Sequence, residues 1–147
     1  MMSIILLGGN EPGTLQAFLK VREMLPSSVD GKILFESDMI ETAPEDDKFQ
    51  ANFFNSFVVV ETNLNPFVLL ENLQSLEIKL GRMKSLNRPK GPRVIDLDIL
   101  FYEDICVGTE LLQIPHPQVL NRSFVKILLK KLPSTYHQNL PVGYLDL

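Results

Sequence analysis

The chain has 147 residues, 45% hydrophobic and 22% charged, which is enough for one domain with a sizeable core and unlike a disordered or fibrous composition. Its formal net charge of −4 excludes a general nucleic-acid binder, which needs a basic surface to neutralise phosphates. The apolar N-terminal run lacks a basic leader and is too short for a membrane span, and the single cysteine, Cys106, leaves no internal disulfide; the expectation is a cytoplasmic, monomeric protein, one domain over residues 1–147, with Cys106 as core filler.

In chain order, Ser3 to Leu7 is an apolar run ended by Gly8-Gly9, which predicts a central strand. A helix follows from about Thr14 to Leu25, with Leu15, Phe18, Leu19, Val21 and Met24 or Leu25 as its apolar stripe and Pro26 as its stop. Lys32 to Ile40 and Asn55 to Thr62 have strand patterns, joined by a polar loop near residues 43 to 52 that is longer than a hairpin needs. Asn65-Pro66 opens a second helix as N-cap and first-turn proline; Leu69, Leu70, Leu73, Leu76, Glu77 and Leu80 keep helical spacing up to Gly81.

Residues 82 to 93 are basic and broken by Pro89, Gly91 and Pro92, so they read as a loop leading into a strand from Val94 to Tyr102. A short strand at Ile105 to Val107, an extended segment to Ile114-Pro115-His116-Pro117 and a helix from about Arg122 to Leu132 complete the pattern, with Pro133 to Leu147 expected to lie loosely on the domain. The order strand, helix, strand, strand, helix, strand predicts an α+β fold: a ferredoxin-like three-layer sandwich with a central, mostly antiparallel sheet and flanking helices.

The chemistry concentrates at Asp96 and Asp98. Two residues apart in a strand, they share a face with Cα atoms roughly 7 Å apart, while Ile95, Leu97, Ile99 and Phe101 take the other. Two like charges in a partly dry site call for protonation, a basic partner such as Arg93, or a divalent cation. Arg82, Lys84, Arg88, Lys90 and Arg93 lie within twelve residues with no acid among them, which favours a small polyanion such as a nucleotide triphosphate. Carboxylates for cations and guanidinium groups for phosphate oxygens are what phosphoryl transfer requires. His116, stiffened between two prolines, has both a structural and a functional reading, and Asn121 is explained as a helix N-cap. Phe53-Phe54-Asn55 is open to a core-aromatic reading as well.

Gly91-Pro92-Arg93-Val94-Ile95-Asp96-Leu97-Asp98-Ile99-Leu100 is similar to the signature of the 6-hydroxymethyl-7,8-dihydropterin pyrophosphokinase family. Gly8-Gly9-Asn10, Thr42-Ala43-Pro44, Phe53-Phe54-Asn55, Ile114-Pro115-His116-Pro117 and Asn121-Arg122-Ser123-Phe124 resemble further motifs of that family in the same order. The resemblance implies transfer of a diphosphate from ATP to the pterin hydroxymethyl oxygen, with two Mg2+ ions held by Asp96 and Asp98. It further implies that Arg82 and Arg93 neutralise phosphate oxygens, with Gln74, Glu77, Arg88, Ile99, His116 and Arg122 on the ATP side. Thr42, Ala43, Pro44, Phe53, Asn55 and Phe124 would hold the pterin, the two phenylalanines sandwiching its ring. Pro89-Lys90 stands where the family often has Arg-Trp, Pro117 where it often has tyrosine, and Leu111 where an arginine sometimes occurs. A nucleotide- or metal-binding module without turnover is the alternative from another class, and a structural domain with its aspartates paired to Arg93 is a third.

Overall fold

Eight consecutive buried residues, Met2–Gly9, form β1, and their burial on both faces follows from a strand with neighbours on each side and packing above and below. The computed structural model describes residues 1–44, 49–81 and 94–144. Strand β1 pairs antiparallel with β4, Phe53–Thr62, and with β5, Asp96–Tyr102. Beyond β4 lie β2, Gly31–Glu36, and the short β3, Ile40–Thr42, giving the sheet order β2-β4-β1-β5 with β3 also on β4. The fold is therefore mixed α+β around an antiparallel sheet, with β5 at one edge.

The expected single strand from Lys32 to Ile40 is two strands. Ser37 interrupts it: its hydroxyl donates to the Asp38 carbonyl and accepts from the Phe57 N–H, a local side-chain bond that competes with the ladder. The expected start at Asn55 moves to Phe53, and the strand expected from Val94 begins at Asp96.

Helix α1, Thr14–Val29, runs through Pro26 instead of stopping there. Its buried stripe is Thr14, Ala17, Val21, Leu25 and Val29; full burial of Val29 holds the last turn against the loss of one proline N–H. Leu15 and Leu19, placed in the stripe from sequence, are 48% and 57% exposed. Helix α2, Pro66–Lys79, is as expected: the Asn65 side-chain oxygen accepts from the N–H groups of Phe67 and Val68, each at 3.0 Å, and Gly81 turns away with φ 108°.

Helices α1 and α2 close one apolar cluster with Ile5, Leu7, Val58, Val60, Ile95, Leu97 and Ile99. The opposite face holds a second cluster, with Ile4, Leu6, Phe57, Val59, Leu100 and Phe101 under Val119, Val125 and Leu128. Phe101 thus sits on the face opposite to the one expected. The pairing of β1 with β5 slips between Ile4 and Ile5: Ile5 opposes Ile99 and Ile4 opposes Phe101, leaving Leu100 as an extra residue. A bulge of this kind changes the face on which later residues fall.

Downstream, the short strand is β6, Val107–Gly108, which pairs with β7, Gln113–Ile114. The helix expected from Arg122 to Leu132 is α4, Ser123–Leu129, and it is preceded by an unexpected short helix α3, Gln118–Asn121, with Arg122 extended between them. Asn121 is accordingly the last residue of α3 and not an N-cap. The tail as far as Tyr144 is not loose: a 3-10 turn over Ser134–Asn139 precedes buried Leu140, and Tyr144 sets its ring edge-on to Phe101 with centroids 5.3 Å apart. Cys106 is exposed, so it is not core filler. No helix among the described residues is long and apolar enough to cross a membrane.

Replacing Asn65 by Ala removes both capping bonds of α2, and the expected loss is about 1 kcal/mol. Urea unfolding should show a lower midpoint with an unchanged slope, and Asn65→Asp should restore it.

Candidate functional site

The sheet register places the candidate residues. Asn55 opposes Gly8 on one side and Ile40 on the other, and Gly8 in turn opposes Asp96. Residues directly opposite one another point to the same face, so Ile40, Asn55 and Asp96 form one row across four strands, open at Gly8. Thr42 opposes Phe53 one step outward, and Asp98 opposes Leu6 one step inward. Thr42, Phe53, Asn55, Asp96 and Asp98 therefore share the face that carries the second cluster, against which Phe124 of α4 also packs.

Gly8 is required by close approach. A Cβ there would lie 2.9 Å from the Asn55 side-chain oxygen, so the Asn55 carboxamide lies over the glycine. That side chain is itself held, its nitrogen donating to Thr42 Oγ1 at 3.1 Å. Asn55 and Asp96 are thus two strand spacings apart, about 10 Å, with no side chain between them.

Beside the free edge of β5 opens a cleft of about 430 Å³, between α2 and the segment from Glu110 to Gln118. Gln74, Glu77, Asp96, Asp98, Ile99 and His116 all line it. Six residues implied by sequence resemblance thus meet in one place. Glu77 is 1% exposed, and its Oε2 accepts the Leu97 N–H at 2.6 Å. That N–H belongs to the residue between the two aspartates, and the carboxylate satisfies it on the side of β5 where, among the described residues, no strand pairs.

His116 is tied to the same strand by its backbone N–H, which donates to the Leu100 carbonyl at 2.9 Å. Its ring Nδ1 accepts from the Gln118 backbone N–H at 3.1 Å, so the proton of the neutral ring sits on Nε2. Burial pushes the imidazole below the usual histidine range, and the Asp96 carboxylate pulls it partly back. Asp98 Oδ2 accepts from Gln118 Nε2 at 3.0 Å.

Among the described residues no group of three or more His, Cys, Asp and Glu side chains is arranged to hold a metal ion. The two half-buried carboxylates alone fit a hard divalent cation that takes the rest of its shell from substrate phosphates and water, the usual manner of Mg2+. Arg122 lies at the junction of α3 and α4, outside the lining of this cleft. Ala43 and Pro44 follow β3, exposed and half-buried. Arg82, Arg88 and Arg93, with Lys84 and Lys90, lie outside the described residues. Leu111, at the position where an arginine sometimes occurs, lines the cleft and is 66% exposed; Pro117 is the N-cap of α3.

Gln118 and the Thr14 side chain carried no sequence signal for the site, whereas Asn10 belongs to the Gly8-Gly9-Asn10 motif: Asn10 Nδ2 donates to Gln50 Oε1 at 2.6 Å and to the Ala51 carbonyl at 3.0 Å, while Thr14 Oγ1 donates to the Val94 carbonyl at 2.8 Å. The turn after β1 thereby grips the residues that end one candidate loop and follow the other. At Gly9 a Cβ would come within 2.3 Å of the Val94 carbonyl oxygen, so that contact needs a glycine as well.

Glu77→Ala strands the Leu97 N–H in a buried setting, and an expected loss of about 1–3 kcal/mol should appear in urea unfolding. Glu77→Gln retains an acceptor oxygen and should recover most of it. For His116 the folded state disfavours the added proton, so the unfolded chain binds more protons just below pH 6.5. Stability of the nucleotide-free protein should be full above that value and fall as the pH drops through it. Unfolding midpoints measured across this range should change less in His116→Asn.

A sequence model of the family "7,8-dihydro-6-hydroxymethylpterin-pyrophosphokinase (HPPK)" matches residues 4–134. The chain is 43% identical over 122 residues to the folic acid synthesis protein fol1 of Pneumocystis carinii, which covers 82% of this chain and 16% of that protein. It is 44% identical over 89 residues to the 2-amino-4-hydroxy-6-hydroxymethyldihydropteridine pyrophosphokinase of Bacillus subtilis, covering 60% of this chain and 52% of that one. The corresponding Methylorubrum extorquens protein is 40% identical over 101 residues, 69% of this chain and 63% of its own length. The chain thus spans about a sixth of the fol1 protein and roughly half to two thirds of the two bacterial ones. Among solved structures, an HPPK-DHPS in complex with substrates superposes with a TM-score of 0.62 at 16% identity, covering 89% of this chain and 39% of that one. Wild-type Plasmodium falciparum HPPK-DHPS with pteroate gives a TM-score of 0.62 at 17% identity, over 88% of this chain and 40% of that one; at such identities the likeness is one of fold. The match over residues 4–134, on a chain whose cleft gathers Gln74, Glu77, Asp96, Asp98, Ile99 and His116, places it in the 6-hydroxymethyl-7,8-dihydropterin pyrophosphokinase family.

Proposed function

We propose that this chain transfers a diphosphate group from ATP to the hydroxymethyl oxygen of 6-hydroxymethyl-7,8-dihydropterin, giving AMP and the pterin diphosphate used in folate biosynthesis. The observation that carries the reading is the row Asn55, Gly8, Asp96. It sets an amide suited to a heterocycle edge about 10 Å from a carboxylate suited to a phosphate-bound cation, with only Gly8 between them in the row. A bisubstrate reaction needs that proximity.

In this reading the pterin has its edge at Asn55 and the Thr42 to Pro44 segment and its ring faces against Phe53 and Phe124. The adenosine occupies the cleft along β5 beside Gln74, Glu77 and Ile99. Asp96 and Asp98 would hold two Mg2+ ions, which would neutralise phosphate oxygens. The hydroxymethyl oxygen forms a bond to the β-phosphorus as the bridge to the α-phosphate breaks. The hydroxyl proton is released and AMP departs. His116, neutral and protonated on Nε2, donates to a phosphate oxygen. Arg82, Arg88, Arg93 and Arg122 are assigned the remaining phosphate charge. The strand order β2-β4-β1-β5, with α1 and α2 on one face and α3 and α4 on the other, supports a ferredoxin-like three-layer sandwich for residues 1–147.

Incubation with ATP, Mg2+ and the reduced pterin should yield AMP and the pterin diphosphate in equal amounts. Formation of ADP, or nucleotide binding without turnover, would overturn the reading. Asp96→Ala should lower turnover about 100-fold or more while the metal-free protein stays folded.

A further inference from the structure

Between Pro115 and Gln118 the chain crosses over β5 and is fastened to it at two points. The His116 backbone N–H bonds to the Leu100 carbonyl at 2.9 Å, and the Gln118 side chain reaches Asp98 at 3.0 Å. Pro115 and Pro117 restrict the backbone on both sides of His116. Gln118 is also the first residue of α3, and its own N–H is engaged by His116 Nδ1 at 3.1 Å. Its backbone therefore serves the imidazole while its side chain serves the carboxylate.

A carboxylate can only accept, so the end of the Gln118 amide facing Asp98 must be the nitrogen. With one lone pair of Oδ2 committed to that bond, the carboxylate plane is restrained, and Oδ1 and the remaining Oδ2 lone pair keep a set direction. Ligating carboxylates are commonly oriented by such outer hydrogen bonds, and losing one weakens metal binding. We infer that Gln118 is a positioning residue that holds Asp98 in the orientation in which it receives the cation, an inference that rests on the metal role of Asp98 proposed above. Asp96 has a different neighbour, the His116 ring. The Gln118 amide bonds to Asp98, so its removal acts on that carboxylate directly.

The variant to make is Gln118→Met, which keeps the side chain's length and its backbone N–H but removes the donor. Mn2+ binding in the presence of a non-hydrolysable ATP analogue, followed by electron paramagnetic resonance, should weaken about tenfold. The KM for metal-bound ATP should rise while that for the pterin is unchanged. The urea midpoint of the metal-free protein should stay at the parent value. Asp98→Asn, measured alongside, separates the possibilities. If Asp98→Asn weakens Mn2+ binding and Gln118→Met does not, the positioning role is wrong and the metal role of Asp98 stands. If Asp98→Asn leaves Mn2+ binding unchanged, the metal role fails and the inference falls with it. A fall in the metal-free midpoint of Gln118→Met with no loss of Mn2+ affinity makes the residue structural and also overturns the proposal.

Discussion

The hydrogen bond from the Leu97 N–H to Glu77 Oε2, 2.6 Å long and buried, joins the two walls of the cleft. Without it, the outer edge of β5 would present an unpaired donor between two carboxylates, in a place water reaches poorly. With it, α2 is anchored to β5 by something stiffer than apolar contact alone. Gln74 and Glu77 are on one wall, Asp96 and Asp98 on the other, and the bond keeps their separation constant. The acid satisfies the edge, and it does so without adding a strand that would cover the cleft.

The same face of the sheet performs two tasks. Toward Leu100 and Phe101 it is apolar and sealed by α3, α4 and the C-terminal turn. Toward Asp96, Gly8 and Asn55 it turns polar. The transition occurs along single strands: on β1 from Ile4 and Leu6 to Gly8, on β4 from Val59 and Phe57 to Asn55 and Phe53, and on β5 from Leu100 to Asp98 and Asp96. The stable core and the candidate site are consecutive stretches of the same ladder, so the rigidity of one supports the geometry of the other.

Much of this was legible in the sequence, for identifiable reasons. Asn65-Pro66 and Gly81 bound α2 through chemistry that acts within one turn, and the structure keeps both. The alternation that set Asp96 and Asp98 on one face holds because no bulge falls between them. The failures are tertiary. Pro26 looks like a stop, but Val29 beyond it is fully buried, and that burial outweighs the local cost. Phe101 changes face because Leu100 is extra in a pairing that only the partner strand β1 reveals. Gln118 has no local pattern to announce it: its role depends on a residue 20 positions earlier. Cys106 has a residue type that favours the core, yet it lies at the surface. Of the family-like signature from Gly91 to Leu100, the Gly-Pro-Arg end lies outside the described residues.

The bulge at Leu100 also bears on which insertions and deletions this chain can absorb. Between Asp96 and Ile99 the ladder with β1 is continuous, and losing or gaining a single residue there would carry one or both carboxylates to the face of α1 and α2. Beyond Leu100 the ladder has already slipped once, and the strand still delivers Phe101 into the opposite cluster. Length change can therefore accumulate on the Tyr102 side of the bulge, and in the connections that carry no ladder, but not in the four residues that present the acids. The bulge divides β5 into a part whose residue count is bound to chemistry and a part whose count is bound only to packing.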